Sequence, residues 1–480
     1  MVRSASSTHP GWTLLLCCLA QFMVILDVSV VNVALPSIRN DLGFSAVDLQ
    51  WIVNAYTLTF AGFLLLGGRA ADLMGHRRVF IAGLTLFAVA SLAGALSDSQ
   101  LTLILARGVQ GLGGAVVAPA TLSILTTSFA EGPARNRALG YWGAMGGVGG
   151  AAGALLGGVL TEAFGWPSIL LVNVPVAAGI ALGALLFIRA RSAPDSPGAE
   201  YDVMGALTLT AGLVLITFAI VRTNVNGWGS ATTLVPMGAG VVLLTLFLVI
   251  EGRLARRPLV PLRIFASRTL SAANVVVFFL GSAVFAMWYF VSLYLQQVLD
   301  FSAIEAGLAF LPMTLAIIIA SSFAGRLVAR FGAGRLLSAG MALIGVGMLV
   351  FSTLRPDGSY LGDVLLPSLL TAFGIGLSFV PVTIAATTGV GHGDAGLASG
   401  LVNTSRQFGG SLGLAILATV ASAHTTGIAD GGRISVSDLT SGFHAAFIVG
   451  AAFGLAGALS AGLALVRRSW RGRAAAAAGE

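Results

Sequence analysis

Fourteen apolar runs, each about the length needed for a helix to cross a bilayer, set what this chain can fold into. They lie near residues 12–34, 47–67, 78–96, 101–126, 138–160, 168–189, 203–222, 231–250, 270–297, 303–325, 335–354, 361–387, 396–422 and 442–466. Inside hydrocarbon every backbone N–H and C=O needs a partner within the segment, so runs of this length are expected as helices. The pair at 203–222 and 231–250 is apolar enough to span and is expected at the periphery. Only 9% of the residues are charged, against about 25% in a soluble domain. The first run is too long for a removable leader and is not followed by a small-residue cleavage site.

The arginines test the count. All 26 basic residues are Arg. With the N-terminus in the cytoplasm, twenty fall on cytoplasmic ends, from Arg3 to Arg473, and four outside: Arg39, Arg222, Arg355 and Arg433. This is the asymmetry of the positive-inside rule, and removing one helix would reverse the later clusters. The net charge of +7 is therefore a topology signal and implies no nucleic acid. Two echoes run through the chain. Gly68, Gly75 and Arg78 recur as Gly325, Gly332 and Arg335 at an offset of 257; Ala138, Gly140, Gly149, Gly150 and Gly153 recur as Ala398, Gly400, Gly409, Gly410 and Gly413 at 260. Both copies face the same way, as in a parallel repeat. The expected fold is an all-α polytopic membrane protein. It has a six-helix bundle over 1–190, a linker with two inserted helices over 191–260, and a second six-helix bundle with a tail over 261–480. Both termini are cytoplasmic.

Away from the ends of the apolar runs three side chains are charged: Asp27, Arg107 and Arg406. A carboxylate in hydrocarbon costs roughly 2.5–3.5 kcal/mol or more. Asp27 is a candidate proton carrier, or else a helix-packing acid that stays protonated. A fixed guanidinium nearby favours the charged carboxylate, while burial favours the neutral one. If Arg107 approaches Asp27 in one conformation only, proton affinity varies with conformation. Arg107 could instead snorkel to water. Arg406 either lines a cavity from the second half or snorkels to the cytoplasm.

The loop Gly68–Arg78 is short, turn-rich and charged, and Asp72 is placed to meet a helix N-terminus and latch one conformation. The glycine-dense stretch Gly143–Gly158 permits close helix approach, for packing or for a bend at Gly153, Gly157 and Gly158. Candidate cavity side chains are Gln21, Asn32, Asn54, Tyr56, Gln110, Trp288, Tyr289, Gln296, Asn403 and Arg406. Trp288 and Tyr289 could stack on a ligand or pack. Cys17 and Cys18 are adjacent and read as small apolar filler. No metal-ligand spacing and no nucleophile–base pair is present, so no metal and no enzyme chemistry is expected.

Together these motifs resemble the major facilitator superfamily, and most closely its drug:proton antiporters with 14 spanning helices. Leu26–Pro36 is similar to the helix-1 signature, Gly68–Arg78 to the loop 2–3 signature, Arg107–Ala115 to the helix-4 signature, and Gly153–Gly158 to the helix-5 antiporter signature. Gln50, Trp51, Tyr56 and Asn173-Val174-Pro175 also look familial. Departures are Ala154 for the usual Pro after the helix-5 Gly, His76 for a basic residue and Ala70 for Leu. The resemblance implies the major facilitator fold in a bacterial cytoplasmic membrane. It implies proton-driven export of lipophilic or cationic drugs by alternating access, without a cofactor, with an amphipathic small molecule, protons and lipid as partners and a monomer as the unit. It assigns Asp27 and Arg107 to proton coupling and cation binding, and Gly68, Asp72, Gly75, Arg77 and Arg78 to the latch. Glu305 is the only candidate for the extra helix-10 acid of divalent-cation exporters, and it lies at the outer end. The alternatives are a dedicated exporter of one endogenous metabolite and, remotely, a receptor or scaffold.

Overall fold

The computed structural model describes residues 10–129, 132–189, 202–255, 258–387, 395–428 and 434–466. Its helices in chain order are α1 Pro10–Leu42, α2 Trp51–Met74, α3 His76–Ala95, α4 Gln100–Ser128, α5 Pro133–Phe164, α6 Pro167–Leu171, α7 Asn173–Phe187, α8 Val203–Asn226, α9 Ala231–Val249, α10 Arg268–Gln297, α11 Ala303–Ala309, α12 Leu311–Phe331, α13 Ala333–Phe351, α14 Leu365–Thr387, α15 Ala395–Ile428 and α16 Val436–Ala461. The described residues form no strand. They make fourteen helical stretches long and apolar enough to cross a membrane, as expected from the apolar runs. The chain is a multi-pass, all-α membrane protein.

Two spans are broken where proline removes a donor. Pro175 sits in the first turn of α7 and Pro312 in the first turn of α12, so each leaves a carbonyl of the preceding turn without its helical N–H. The sixth span is therefore α6 plus α7, and the tenth is α11 plus α12. Caps set other boundaries. Ser99 accepts from the Thr102 N–H at the start of α4, and Ser435 with Asp438 forms a capping box at the start of α16.

By its own contacts the chain divides into two units. The first is Met1–Val214 with Val242–Leu259 and Ser302–Leu308; the second is Leu215–Val241, Val260–Phe301 and Ala309–Glu480. The two helices of the expected insert, α8 and α9, are thus shared between the units. Much of α9 is exposed, including Leu234, Val235, Val241 and Val242, the apolar surface of a lipid-facing helix.

Each unit repeats the same local devices. In unit 1 α1 packs on α5: Ser29 Oγ donates to the Gly150 carbonyl at 2.8 Å, and a Cβ on Gly153 would lie 2.6 Å from that of Ser29. In unit 2 α10 packs on α15: Ser282 Oγ donates to the Gly409 carbonyl at 2.9 Å, and a Cβ on Gly413 would overlap Ser282. The two loop glycines of the repeat also match. Gly75 has φ +94° and Gly332 φ +85°, each at the reversal between two helices and each in a region that glycine alone enters freely. Gly75 with Gly332 and Gly153 with Gly413 thus keep the offsets of 257 and 260, while the serine acceptors Gly150 and Gly409 are shifted by one residue.

Candidate functional site

Asp27 is the eighteenth of the 33 residues of α1 and is fully buried. Arg107 of α4 reaches it: Arg107 Nη1 donates to Asp27 Oδ2 at 2.6 Å, and the arginine is itself only 2% exposed. Arg107 and Gln110 are three residues apart, so they share a face of α4. Arg107 Nη1 also donates to Gln110 Oε1 at 2.6 Å, and Arg107 Nε to the Ile52 carbonyl at 3.2 Å. The guanidinium lies over the Tyr56 ring, 4.5 Å from its centre. This fit needs α2 and α4 close together. A Cβ on Gly111 would overlap the Tyr56 carbonyl, which gives a reason for glycine one turn after the arginine.

The other carboxylate oxygen is held as well. Asp27 Oδ1 accepts from Gln110 Nε2 at 2.7 Å and from Asn173 Nδ2 at 2.8 Å. Gln110 Nε2 donates in addition to Ser91 Oγ at 2.7 Å. Helices α4 and α7 thus meet α1 at one carboxylate, and α3 joins through Ser91 on Gln110. Breaking such a buried pair by removing one partner costs about 3–5 kcal/mol, because the other charge is left uncompensated. Two polar atoms beside the cluster, Tyr56 Oη and Asn173 Oδ1, are buried with no hydrogen-bond partner among the described residues.

Gln110, expected as a cavity side chain, is instead a ligand of Asp27. Ser91 carries no signal in the sequence, and Asn173 carries one only as part of Asn173-Val174-Pro175. Each is a single polar residue in an apolar helix, and only the packing of α3 and α7 on α1 and α4 gives it a role. Asn173 carried the stronger signal, an Asn two residues before a proline inside a span. Of the remaining unit 1 candidates, Asn32 Nδ2 donates back to the Val28 carbonyl at 3.1 Å, and Asn54 Nδ2 donates to Gln50 Oε1 at 3.4 Å. Gln21 Oε1 is buried without a partner among the described residues. Nor is Asp27 the only enclosed acid: Glu251, in the turn that follows α9, is 4% exposed.

The expected loop Gly68–Arg78 is helical except at Gly75, which alone makes the reversal between α2 and α3; Gly68 lies inside α2 against Pro119. Arg77 Nη2 donates to the Leu185 carbonyl at 2.8 Å in the last turn of α7, a cation at the negative end of a helix. Arg78 is exposed. The side chain of Asp72 lies outside the described residues. Helix α5 runs unbroken through Gly153, Gly157 and Gly158; Gly157 backs onto Val30 of α1, and Gly158 onto Ala303.

The unit 2 candidates are separate features. Trp288 stacks on Phe310, 4.7 Å between ring centres. Tyr289 is 2% exposed and meets Phe290 edge to face, so it belongs to the core. Gln296 Nε2 donates to Ser292 Oγ at 3.1 Å. Arg406 Nη2 donates to Asn403 Oδ1 at 2.7 Å. No His/Cys/Asp/Glu group with the geometry of a metal site occurs among the described residues, and Cys17 and Cys18 are free and buried.

Comparison with known proteins gives a consistent picture. Residues 17–414 match the family model described as Major Facilitator Superfamily. The chain is 44% identical over 456 residues to the cephamycin export protein CmcT of Amycolatopsis lactamdurans, covering 95% of this chain and 92% of that protein. It is 39% identical over 431 residues to the puromycin resistance protein pur8 of Streptomyces alboniger, covering 88% and 85%. Among solved structures it resembles a bacterial homologue of the human lysosomal transporter Spinster, with a TM-score of 0.68, 17% identity, and coverage of 96% and 98%. That last likeness concerns the fold.

Proposed function

The chain belongs to the major facilitator superfamily, and from this premise we propose that it is a proton-coupled antiporter that exports antibiotic-like compounds across the cell membrane. The observation that carries the coupling is the enclosure of Asp27 by Arg107, Gln110 and Asn173. All three donors stabilise the charged carboxylate. A proton arriving on Asp27 removes the ion pair and one acceptor site, so Arg107 and the amides must find other partners. Those groups sit on α4 and α7, and the proton is thereby tied to how these helices pack on α1. Release of the proton restores the pair. A substrate that favours the second arrangement drives the exchange, because a ligand shifts a conformational equilibrium only by its differential affinity.

On this reading Asp27 is the proton site. Both carboxylate oxygens are occupied by protein donors and the residue is fully buried, so a substrate contact there requires another conformation. Arg107 is the coupling residue. Gly68, Asp72, Gly75, Arg77 and Arg78 form the latch, with Arg77 bound to the end of α7. Segments 1–190 and 261–480 are the halves that alternate access, 191–260 is an insert, and the chain works as a monomer without a cofactor.

A dedicated exporter of one metabolite is the second reading, favoured by relatives named for cephamycin export and for puromycin resistance. The test is a susceptibility panel in a pump-deficient bacterial strain with the wild type and Asp27→Asn. Resistance to several unrelated compounds, lost with Asp27→Asn, supports a multidrug exporter; resistance to one supports the dedicated exporter. Resistance to none overturns the export reading.

A further inference from the structure

In unit 1 Asp27 and Arg107 neutralise each other. In unit 2 no ion pair joins Arg406 to an acid among the described residues. One guanidinium nitrogen donates to Asn403, its carbon lies 5.6 Å from the centre of the Phe379 ring, and its Nε is buried without a hydrogen-bond partner among the described residues. The guanidinium keeps its charge at any working pH, so it cannot relieve this by losing a proton. A buried donor without an acceptor is costly and calls for one from elsewhere.

The helix face that carries Arg406 bears on where that acceptor comes from. At the offset of 260, Asn403 and Arg406 correspond to Gly143 and Gly146 of α5. A Cβ on Gly140, Gly143 or Gly146 would meet nothing within 4 Å. The first copy of the repeat leaves this face bare beside open space, and the second furnishes it with an amide and a guanidinium. An arginine inside a span is costly against lipid and is found facing protein or water-filled space. Asn403 accepts one hydrogen of Nη2 and Phe379 lies beside the guanidinium, which leaves the Nε hydrogen and the second Nη2 hydrogen for a ligand. That edge pairs best with a planar anion, and carboxylate matches it geometrically.

We infer that Arg406, oriented by Asn403 and Phe379, binds a carboxylate of the exported compound, so that the substrates are amphipathic acids or zwitterions and not simple lipophilic cations. The inference rests on the export reading above and names its substrate class. It departs from the expectation of cationic drugs, because the acid that would hold a cation is already paired with Arg107.

The test uses everted membrane vesicles containing the full chain and three compounds on one aromatic skeleton: a carboxylic acid, its methyl ester and the matching primary amine. The wild type is expected to take up the acid with the lowest apparent KM. Arg406→Gln is expected to raise the KM for the acid about tenfold, the scale of one charge-assisted hydrogen bond, to raise that for the ester much less, and Arg406→Lys to recover part of the loss. Equal effects on acid and ester, or a wild-type preference for the amine, would overturn the inference. A measurement on purified wild-type protein does not depend on the variant folding: the acid should raise its melting temperature more than the ester does, and equal shifts would count against the site. Absence of proton-dependent uptake for all three, together with resistance to none of the antibiotic panel, would remove the export reading itself and this inference with it.

Discussion

Arg107 and Asp27, eighty residues apart in sequence, meet at 2.6 Å with exposures of 2% and 0%. Neither can be changed without leaving a buried charge. Arg107→Met and Asp27→Leu are each expected to destabilise unit 1 by about 3–5 kcal/mol, and the double variant to regain most of that loss. Melting temperatures in detergent check this. Losses that simply add would show that the two charges do not stabilise each other.

Arg107→Lys is expected to fold but to transport poorly. Lysine keeps the charge, but it cannot serve Asp27, Gln110 and the Ile52 carbonyl together as the guanidinium does. Counterflow of a transported compound, with no gradient applied, should persist while proton-driven accumulation falls at least tenfold. Unchanged accumulation would mean that only charge matters at this position.

Asn173 donates to Asp27 from α7, and its own carbonyl oxygen has no partner among the described residues. Asn173→Ala removes one of three donors to the carboxylate. Proton-driven accumulation should then fall severalfold, while counterflow of the same compound with no gradient applied changes less. An equal fall in both would make Asn173 a packing residue only.

Gly75 and Gly332 make equivalent reversals in the two loops at φ +94° and +85°. Alanine at either position is expected to cost about 1–3 kcal/mol of stability. If Gly75 also serves a latch, Gly75→Ala should lower transport more than its loss of stability explains, and Gly332→Ala should not. Comparing transport with melting temperature for both variants separates the two effects.

The architecture was readable in the sequence because the bilayer imposes a length and a polarity on every span. The fourteen runs and the two offsets follow from that constraint, and Pro175 and Pro312 mark the broken spans in hindsight. Asp27 and Arg107 stood out for the same reason: charge in hydrocarbon is rare. Gln110, Ser91 and Asn173 did not. A lone amide or hydroxyl in an apolar helix bonds a neighbour, a carbonyl or its own helix with similar ease, and only tertiary packing decides. Tyr289 shows the converse, an aromatic that could line or pack, settled by Phe290 at 5.2 Å between ring centres. Glu251 closes an apolar run, where an acid reads as an interface residue, yet it is enclosed.

The account stands on Asp27 as the proton site. Purified protein in weakly buffered detergent solution, given an exported compound, should release protons, and Asp27→Asn of the same folded yield should release none while still binding the compound. Equal proton release from the two proteins would contradict it.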